Sequence, residues 1–212
     1  MYKKILKELE TFSEPGFAQW LKPFLSISDK SQEIVLGVRT PILRKYAKEI
    51  SQEVNFDILQ KLLESNIHDA KLLAVFILLI KSKKDSKNVC EFYLKNLDYI
   101  NNWDLIDYSA PHIVAPNVED KILCQLADSD YLWANRVAMV STIYFIKQNK
   151  FSLAIKFAKK FMNHNHHLMH KAAGWMLREI GKKDEKTLRK FLDMYSDRMP
   201  AVMRSYAKER LK

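Results

Sequence analysis

The stretch VAMVSTIY, residues 137–144, carries the pattern that decides the fold. Its large apolar side chains at positions 137, 140, 143 and 144 are three and four residues apart, a spacing that places them on one face of an α-helix. This spacing recurs along almost the whole chain, and the alternation typical of strands is nowhere sustained. The chain is therefore predicted to be all-α.

The composition supports this interpretation and disfavours other classes. At 212 residues, 48% hydrophobic and 28% charged, the chain is typical of one soluble globular domain, which we place over residues 1–212. It holds only four Gly and six Pro, whereas hairpins, bulges and phosphate-cradling loops all require glycine. An all-β fold, a P-loop and a Rossmann site are thereby disfavoured.

The cysteines and the N-terminal stretch indicate in which cellular compartment the protein is expected. Cys90 and Cys124 lie in apolar helical contexts without the CxxC spacing of thiolate zinc or redox sites. In the opening stretch MYKKILKELE, Lys and Glu interrupt the apolar positions, so the core of a signal peptide is lacking. The apolar run Leu72–Ile80 is too short to span a bilayer and predicts a buried core helix. We expect a reduced, cytoplasmic protein.

The positive charge is concentrated in the last third of the chain. The net charge is +10, and residues 151–212 hold 15 basic against 6 acidic side chains. Such an excess favours a phosphate backbone or another anionic surface as the partner. The alternative is a solvated, lysine-rich helical surface without a ligand.

Breaks rich in Ser, Asn, Asp and Gly divide the chain into about twelve helices of 10–18 residues. Taken in pairs, the first members start near residues 40, 67, 102, 131, 166 and 199, at intervals of roughly 27–35 residues. This pattern predicts an α-α superhelix whose concave surface can hold a duplex, and a compact bundle is the alternative.

Pro41 and Pro200 are expected in first turns of helices. Core packing is the interpretation for the methionines and for Tyr2, Trp20, Phe24 and Trp133.

The most unusual local sequence is NNWDLID, residues 101–107. Trp103 and Asp107 are four residues apart, so a helix presents an aromatic plate and a carboxylate side by side. Arg136 follows Asp107 by 29 residues, and one helical face a repeat later combines Lys171, Trp175 and Arg178. The alternative is that Trp103 packs against the core and that Asp107 caps or pairs with a neighbouring helix.

A histidine-rich stretch, HNHHLMH, covers residues 164–170. His166 and His170 have the i, i+4 spacing of zinc ligands, but no Glu follows the first histidine and no third ligand is evident. We expect a loop and a helix start here, and neither a metal nor a cofactor.

Several ordered motifs together resemble one family. They are GVRTP (37–41) with LR (43–44) and AK (47–48), NNWDLID (101–107), Trp133-x-x-Arg136, KAAGWMLRE (171–179) and MP (199–200). They are similar to those of the AlkD-type DNA alkylation repair family, which are HEAT-like-repeat alkylpurine DNA glycosylases. The family pattern Met-Pro-Arg-Thr-Met-Leu-Arg-Tyr appears here as MPAVMRSY, residues 199–206, without two of its arginines. Arg204 is the candidate substitute.

The resemblance implies a C-shaped, monomeric stack of helical pairs that embraces duplex DNA containing alkylated purines. Such an enzyme excises cationic N3- or N7-alkylated purines by hydrolysis of the N-glycosidic bond, without flipping the base into a pocket. By position in the motifs, Asp107 would be the catalytic carboxylate, and Trp103 and Trp175 would be aromatic walls of the cleft. Phosphate contacts are implied for Arg136 and Arg178, and Lys171 and Arg204 join them as candidate DNA-binding residues.

The chemistry of the lesion agrees with that implication. An N3- or N7-alkylated purine is already cationic, so its departure needs no general acid, and one carboxylate can stabilise the oxocarbenium charge on the sugar. Tryptophan faces attract the cationic nucleoside, each by ~0.5–2 kcal/mol. Two rivals remain: a non-catalytic nucleic-acid-binding protein of the same fold, and a protein-binding scaffold in which the tryptophans and the aspartate only pack.

Overall fold

The chain is helical throughout the part that the structure describes. A computed structural model describes residues 1–25 and 32–211. These ranges contain no sheet strand, only an isolated bridge between Ile34 and Ile67. Their α-helices, numbered α1 to α13, are Tyr2–Thr11, Pro15–Leu21, Thr40–Ile50, Phe56–Leu63, His68–Lys81, Ser86–Lys95, Trp103–Ile113, Asp120–Asp128, Leu132–Ile146, Ser152–Phe161, His167–Lys183, Glu185–Tyr195 and Ala201–Lys208. Short 3-10 helices cover Lys22–Phe24, Leu97–Tyr99 and Ser196–Arg198. The all-α prediction is confirmed.

The predicted repeat phase agrees with the helix starts. The helices α3, α5, α7, α9, α11 and α13 begin at positions 40, 68, 103, 132, 167 and 201, each within two residues of the expected position. Helix lengths of 7 to 17 residues extend below the predicted range of 10–18. Four helices, α2, α4, α8 and α13, are shorter than ten residues, and the described ranges hold thirteen α-helices where about twelve were predicted.

Two helices supply most of the core. In α5 residues 68–78 are all buried, and in α9 residues 133–142 are all buried. A helix that is apolar around its circumference has to be surrounded by others. Accordingly α5 packs against α3, α4 and α6, and α9 packs against α8, α10 and α11. The buried helix expected over Leu72–Ile80 is therefore confirmed for its greater part, and no described helix is long and apolar enough to cross a membrane.

Contacts between Cα atoms divide the chain into two compact units, Met1–Ser109 and Ala110–Lys212. The first unit is centred on α5. In the second unit, α11 packs against α9, α10, α12 and α13.

Some sequence-based expectations about individual residues are wrong. Trp20 and Phe24 are each 59% exposed, because no residue of α2 or of the 3-10 helix Lys22–Phe24 is buried and the aromatic rings pack on one another. The Trp20 ring centroid lies 5.6 Å from that of Phe17 and 5.1 Å from that of Phe24. Among the methionines, Met1 and Met194 are also exposed. Trp133 is buried as expected, with 7% of its surface exposed.

The two prolines differ in position. Pro41 occupies the first turn of α3, as predicted. Pro200 is the residue before α13, with an extended ψ of 140°, and its carbonyl accepts the Arg204 N–H. It therefore caps the helix from outside, one residue earlier than predicted.

Candidate functional site

Helix α7 brings Trp103 and Asp107 to one face of the first unit, four residues apart. Both side chains are half-buried. The buried Asn102 side chain accepts the Trp103 backbone N–H at 2.9 Å, and Trp103 Nε1 donates to the Phe24 carbonyl at 2.8 Å. Trp103 is therefore held at both its backbone and its indole ring, and Trp103 and Asp107 each keep part of their surface exposed.

A buried ionic network lies under the first turn of α7. His68 Nε2 is 2.8 Å from Asp104 Oδ2, and His68 Nδ1 is 2.9 Å from Glu33 Oε1. Lys71 Nζ donates to Glu33 Oε2 at 2.8 Å and to Asn101 Oδ1 at 3.1 Å. A carboxylate only accepts hydrogen bonds, so both ring nitrogens of His68 have to carry a proton. The positive charges of His68 and Lys71 then balance the negative charges of Glu33 and Asp104.

The charges of this network shift one another's protonation. Burial favours the neutral imidazole, but the Asp104 and Glu33 carboxylates outweigh burial and raise the pKa of His68 to about 10. Burial would likewise raise the pKa of Glu33, yet the hydrogen bonds from His68 and Lys71 lower it. His68 and Glu33 are therefore both ionised at neutral pH.

The GVRTP motif has a structural explanation in the same unit. Gly37 has φ +77°, and a Cβ there would lie 2.6 Å from Ala18 N and Glu14 O, so only glycine fits. Asp69 accepts the Val38 backbone N–H at 2.7 Å, while Arg39 pairs with Glu14 at 2.9 Å. Asp69 thus fastens the extended segment before α3 to the start of α5, and Arg39 fastens it to the start of α2.

In the second unit Arg136 lies inside the protein, with only 4% of its surface exposed. Its Nη1 donates to the Leu168 carbonyl at 2.9 Å, which ties α9 to the first turn of α11. The neighbouring Asn135 side chain donates to three backbone carbonyls between residues 126 and 129. Arg136 thus connects two helices, and its contact with phosphate stays a prediction.

Helix α11 places Lys171, Trp175 and Arg178 on one face, all half-buried. Trp175 Nε1 donates to Glu179 Oε1 at 3.1 Å, and Arg178 Nη1 pairs closely with Glu209. Within the second unit, this face is held by contacts along α11 and with the C-terminal segment.

Close packing of α11 on α13 explains the glycine of KAAGW. A Cβ on Gly174 would lie 2.5 Å from Met203 O and 2.6 Å from Tyr206 Cβ. On α13 Arg204 is half-buried, and its Nη1 donates to the Ser196 carbonyl at 3.0 Å. The altered C-terminal motif therefore still holds an arginine on α13, tied to the 3-10 helix Ser196–Arg198.

The histidine-rich stretch forms a helix start, as expected. His166 is the N-cap of α11, and its Nδ1 accepts the Leu168 N–H at 3.2 Å. His164 and His166 line a polar cavity of about 510 Å³ with Asn135, Lys160 and Asp128. Burial lowers the pKa of both histidines. In the described ranges no group of three or more His, Cys, Asp or Glu is placed to hold a metal ion.

Two features of the first unit are absent from the sequence-based site. The His68 network was missed, although the pair His68-Asp69 stands directly before the apolar run of α5 and Asp104 lies within NNWDLID. Arg44 was also missed as a site residue: its guanidinium carbon lies 4.6 Å from the Phe76 ring centroid and 4.9 Å from that of Tyr108.

Comparisons with known proteins identify the family. The sequence profile of the DNA alkylation repair enzyme family matches residues 5–211. The fold is similar to that of a solved structure from Enterococcus faecalis described as a predicted DNA alkylation repair enzyme, with a TM-score of 0.67 and 14% identity over 94% of this chain and 96% of that one. No curated protein matches significantly. The α-α superhelical fold class predicted from the sequence is confirmed, and the chain belongs to the DNA alkylation repair enzyme family.

Proposed function

We propose that the protein is a monofunctional DNA glycosylase that excises cationic N3- or N7-alkylated purines from duplex DNA without base flipping. The observation that carries the proposal is the pair on α7, with Trp103 and Asp107 four residues apart and both half-exposed. The ionic network of His68 and Asp104 supports it, because it holds the first turn of the helix that presents this pair.

Hydrolysis proceeds with the bonding electrons leaving on the base. The N-glycosidic bond breaks, its electron pair neutralises the cationic purine, and positive charge develops on the sugar. The Asp107 carboxylate stabilises that charge and orients a water molecule, whose oxygen bonds to C1′ while its proton passes to Asp107 or to solvent. The face of Trp103 attracts the cationic nucleoside before the bond breaks. No cofactor takes part.

Basic and aromatic residues of the second unit complete the proposed contact with DNA. Trp175 is proposed as a second aromatic wall. Lys171, Arg178 and Arg204 are proposed to contact phosphates, with a phosphate replacing Glu209 on Arg178. Arg136 is buried, so a phosphate contact there requires its side chain to move. We propose that both compact units act as one domain, residues 1–212, in a monomer.

The decisive experiment is incubation of the protein with methylated duplex DNA, followed by chromatography of the free bases. The wild-type protein should release N3- and N7-methylpurines faster than the spontaneous rate measured without protein. Because water, and no lysine, attacks the sugar, borohydride should trap no covalent DNA adduct.

Two outcomes would overturn this proposal. Tight binding of duplex DNA with release at the spontaneous rate would assign the chain to the non-catalytic nucleic-acid-binding class. Absence of any DNA binding would favour the protein-binding scaffold.

A further inference from the structure

Arg44 is an exposed arginine whose position is set by aromatic rings. It lies on α3, and its guanidinium carbon contacts the rings of Phe76 on α5, at 4.6 Å, and Tyr108 on α7, at 4.9 Å. The two rings also contact each other, with centroids 5.3 Å apart. A side chain of α3 thus contacts both α5 and α7, the first members of the next two helical pairs.

The charge of Arg44 is not compensated in the described ranges. The rings are neutral, and no carboxylate among residues 1–25 and 32–211 forms an ion pair or a hydrogen bond with Arg44. Two other exposed arginines that make side-chain contacts differ: Arg39 also stacks on a ring, yet it pairs with Glu14 at 2.9 Å, and Arg189 pairs with Glu185 at 2.6 Å. The aromatic contact therefore positions a cation whose hydrogen-bonding groups remain available.

This arrangement fits an oxyanion with two acceptors. A guanidinium attracted to ring faces keeps its in-plane N–H donors for bidentate bonds, and phosphate is a ligand that matches their geometry. Because the rings already restrict the side chain, less conformational entropy is lost on binding. Tyr108 directly follows Asp107 in α7, so the cation is attached to the helix of the proposed site.

We propose that Arg44, held on Phe76 and Tyr108, binds a phosphate of the DNA backbone beside the Trp103–Asp107 face. The identification of the anion as DNA rests on the proposed function. The position of the cation and the ring contacts do not depend on it.

The test is the affinity of an undamaged duplex oligonucleotide for wild type, Arg44→Gln and Lys45→Gln, measured by fluorescence anisotropy at several salt concentrations. Lys45 is an exposed neighbour on α3, so both variants lose one positive charge from the same helix. Loss of a charge-assisted phosphate contact should weaken binding about tenfold or more. The log–log salt slope should become less negative by about 0.9 for Arg44→Gln. Lys45→Gln should change the affinity less than about twofold and leave the slope as in wild type.

A second variant tests the role of the ring. Tyr108→Leu keeps the charge of Arg44 but removes one aromatic face, so it should weaken binding severalfold while the salt slope stays near the wild-type value. In the double variant with Arg44→Gln, the loss should not exceed that of Arg44→Gln alone, because both changes remove the same contact. Thermal melting by circular dichroism identifies any variant that is unfolded.

The outcomes separate this inference from the proposed function. If Arg44→Gln behaves like Lys45→Gln, Arg44 does not bind phosphate, whatever the enzyme does to alkylated DNA. If Arg44→Gln lowers affinity and slope while the wild type releases no base, the phosphate site stands and the glycosylase proposal falls. Failure of the wild type to bind DNA overturns both.

Discussion

His68 Nε2 and Asp104 Oδ2 lie 2.8 Å apart in the interior and join the first turn of α5 to the first turn of α7. The other oxygen of Asp104 accepts the Leu105 backbone N–H at 2.9 Å. Asp104 directly follows Trp103 and stands about one turn before Asp107. The bond to His68 therefore holds the first turn of α7, the helix that carries the proposed site. The stability of the first unit and the geometry of the site therefore depend on the same pair of charges.

Replacement of His68 by Gln should strongly destabilise the fold. Glu33 and Asp104 would remain buried without their shared cation, and breaking a buried ion pair by removing one partner costs about 3–5 kcal/mol. The free energy of unfolding, measured by denaturant titration at pH 7, checks this. His167→Gln is the matched control, since His167 is exposed at the start of α11 and should have little effect. Equal, small effects of both changes would show that the network contributes little to stability.

The contribution of His68 should also depend on pH. Its pKa is about 10 in the folded protein against the ordinary 6.5 of a histidine, so the folded state binds the proton more tightly. The resulting stabilisation is fully present below about pH 6.5 and is lost as pH rises towards 10. The difference in unfolding free energy between wild type and His68→Gln should therefore shrink between pH 6.5 and 10. A difference that stays constant across this window would contradict a charged His68.

The helix starts could be predicted from the sequence because local residues mark them. Ser, Asn, Asp and Gly interrupt the apolar spacing where the chain turns, and Pro41 occupies a first turn where its missing N–H costs nothing. The pairing of Trp103 with Asp107 on one face follows from helix geometry alone. These features need no information from distant residues.

The buried charges could not be predicted in the same way. His68 meets Glu33 and Asp104 from 35 and 36 residues away, and a charged residue before an apolar run is usually solvated. The prediction that Trp20 is a core residue was also wrong. Aromatic residues at helical spacing give the same sequence pattern whether they pack into a core or, as for Phe17 and Trp20 in α2, on one another. In both cases the deciding contacts lie outside the local pattern.

Gly174→Ala should destabilise the second unit, although alanine is the better helix former. Propensity favours alanine by about 1 kcal/mol, but its Cβ would lie 2.5 Å from the Met203 carbonyl oxygen, a backbone atom that cannot move without shifting α13. Gly16→Ala is the control, because nothing lies within 4 Å of a Cβ there. Thermal melting should show a lower Tm for Gly174→Ala and an unchanged or higher Tm for Gly16→Ala. A raised Tm in both variants would rule out the proposed close packing.

Trp175→Ala should impair base release more than folding. Trp175 is half-buried, whereas Trp133 in the same unit is 7% exposed, so the two substitutions compare a surface wall with a core residue. Trp133→Ala should cost about 3–5 kcal/mol of stability, and Trp175→Ala clearly less. Loss of a cation–π contact should slow excision roughly 2- to 30-fold. Equal destabilisation by both changes would identify Trp175 as a packing residue.

Asp107→Asn tests the catalytic carboxylate directly. The change keeps the shape of the side chain but removes its negative charge, so stabilisation of the sugar cation is lost. Base release from methylated duplex DNA should fall about 10²-fold or more, the usual scale for one preorganised group. DNA affinity should hold or rise slightly, because a charge that repels phosphate has gone. Asp57→Asn, an exposed change on α4, should release base at the wild-type rate. If Asp107→Asn does so too, while remaining folded, the carboxylate is not the catalytic group and the proposed mechanism is wrong.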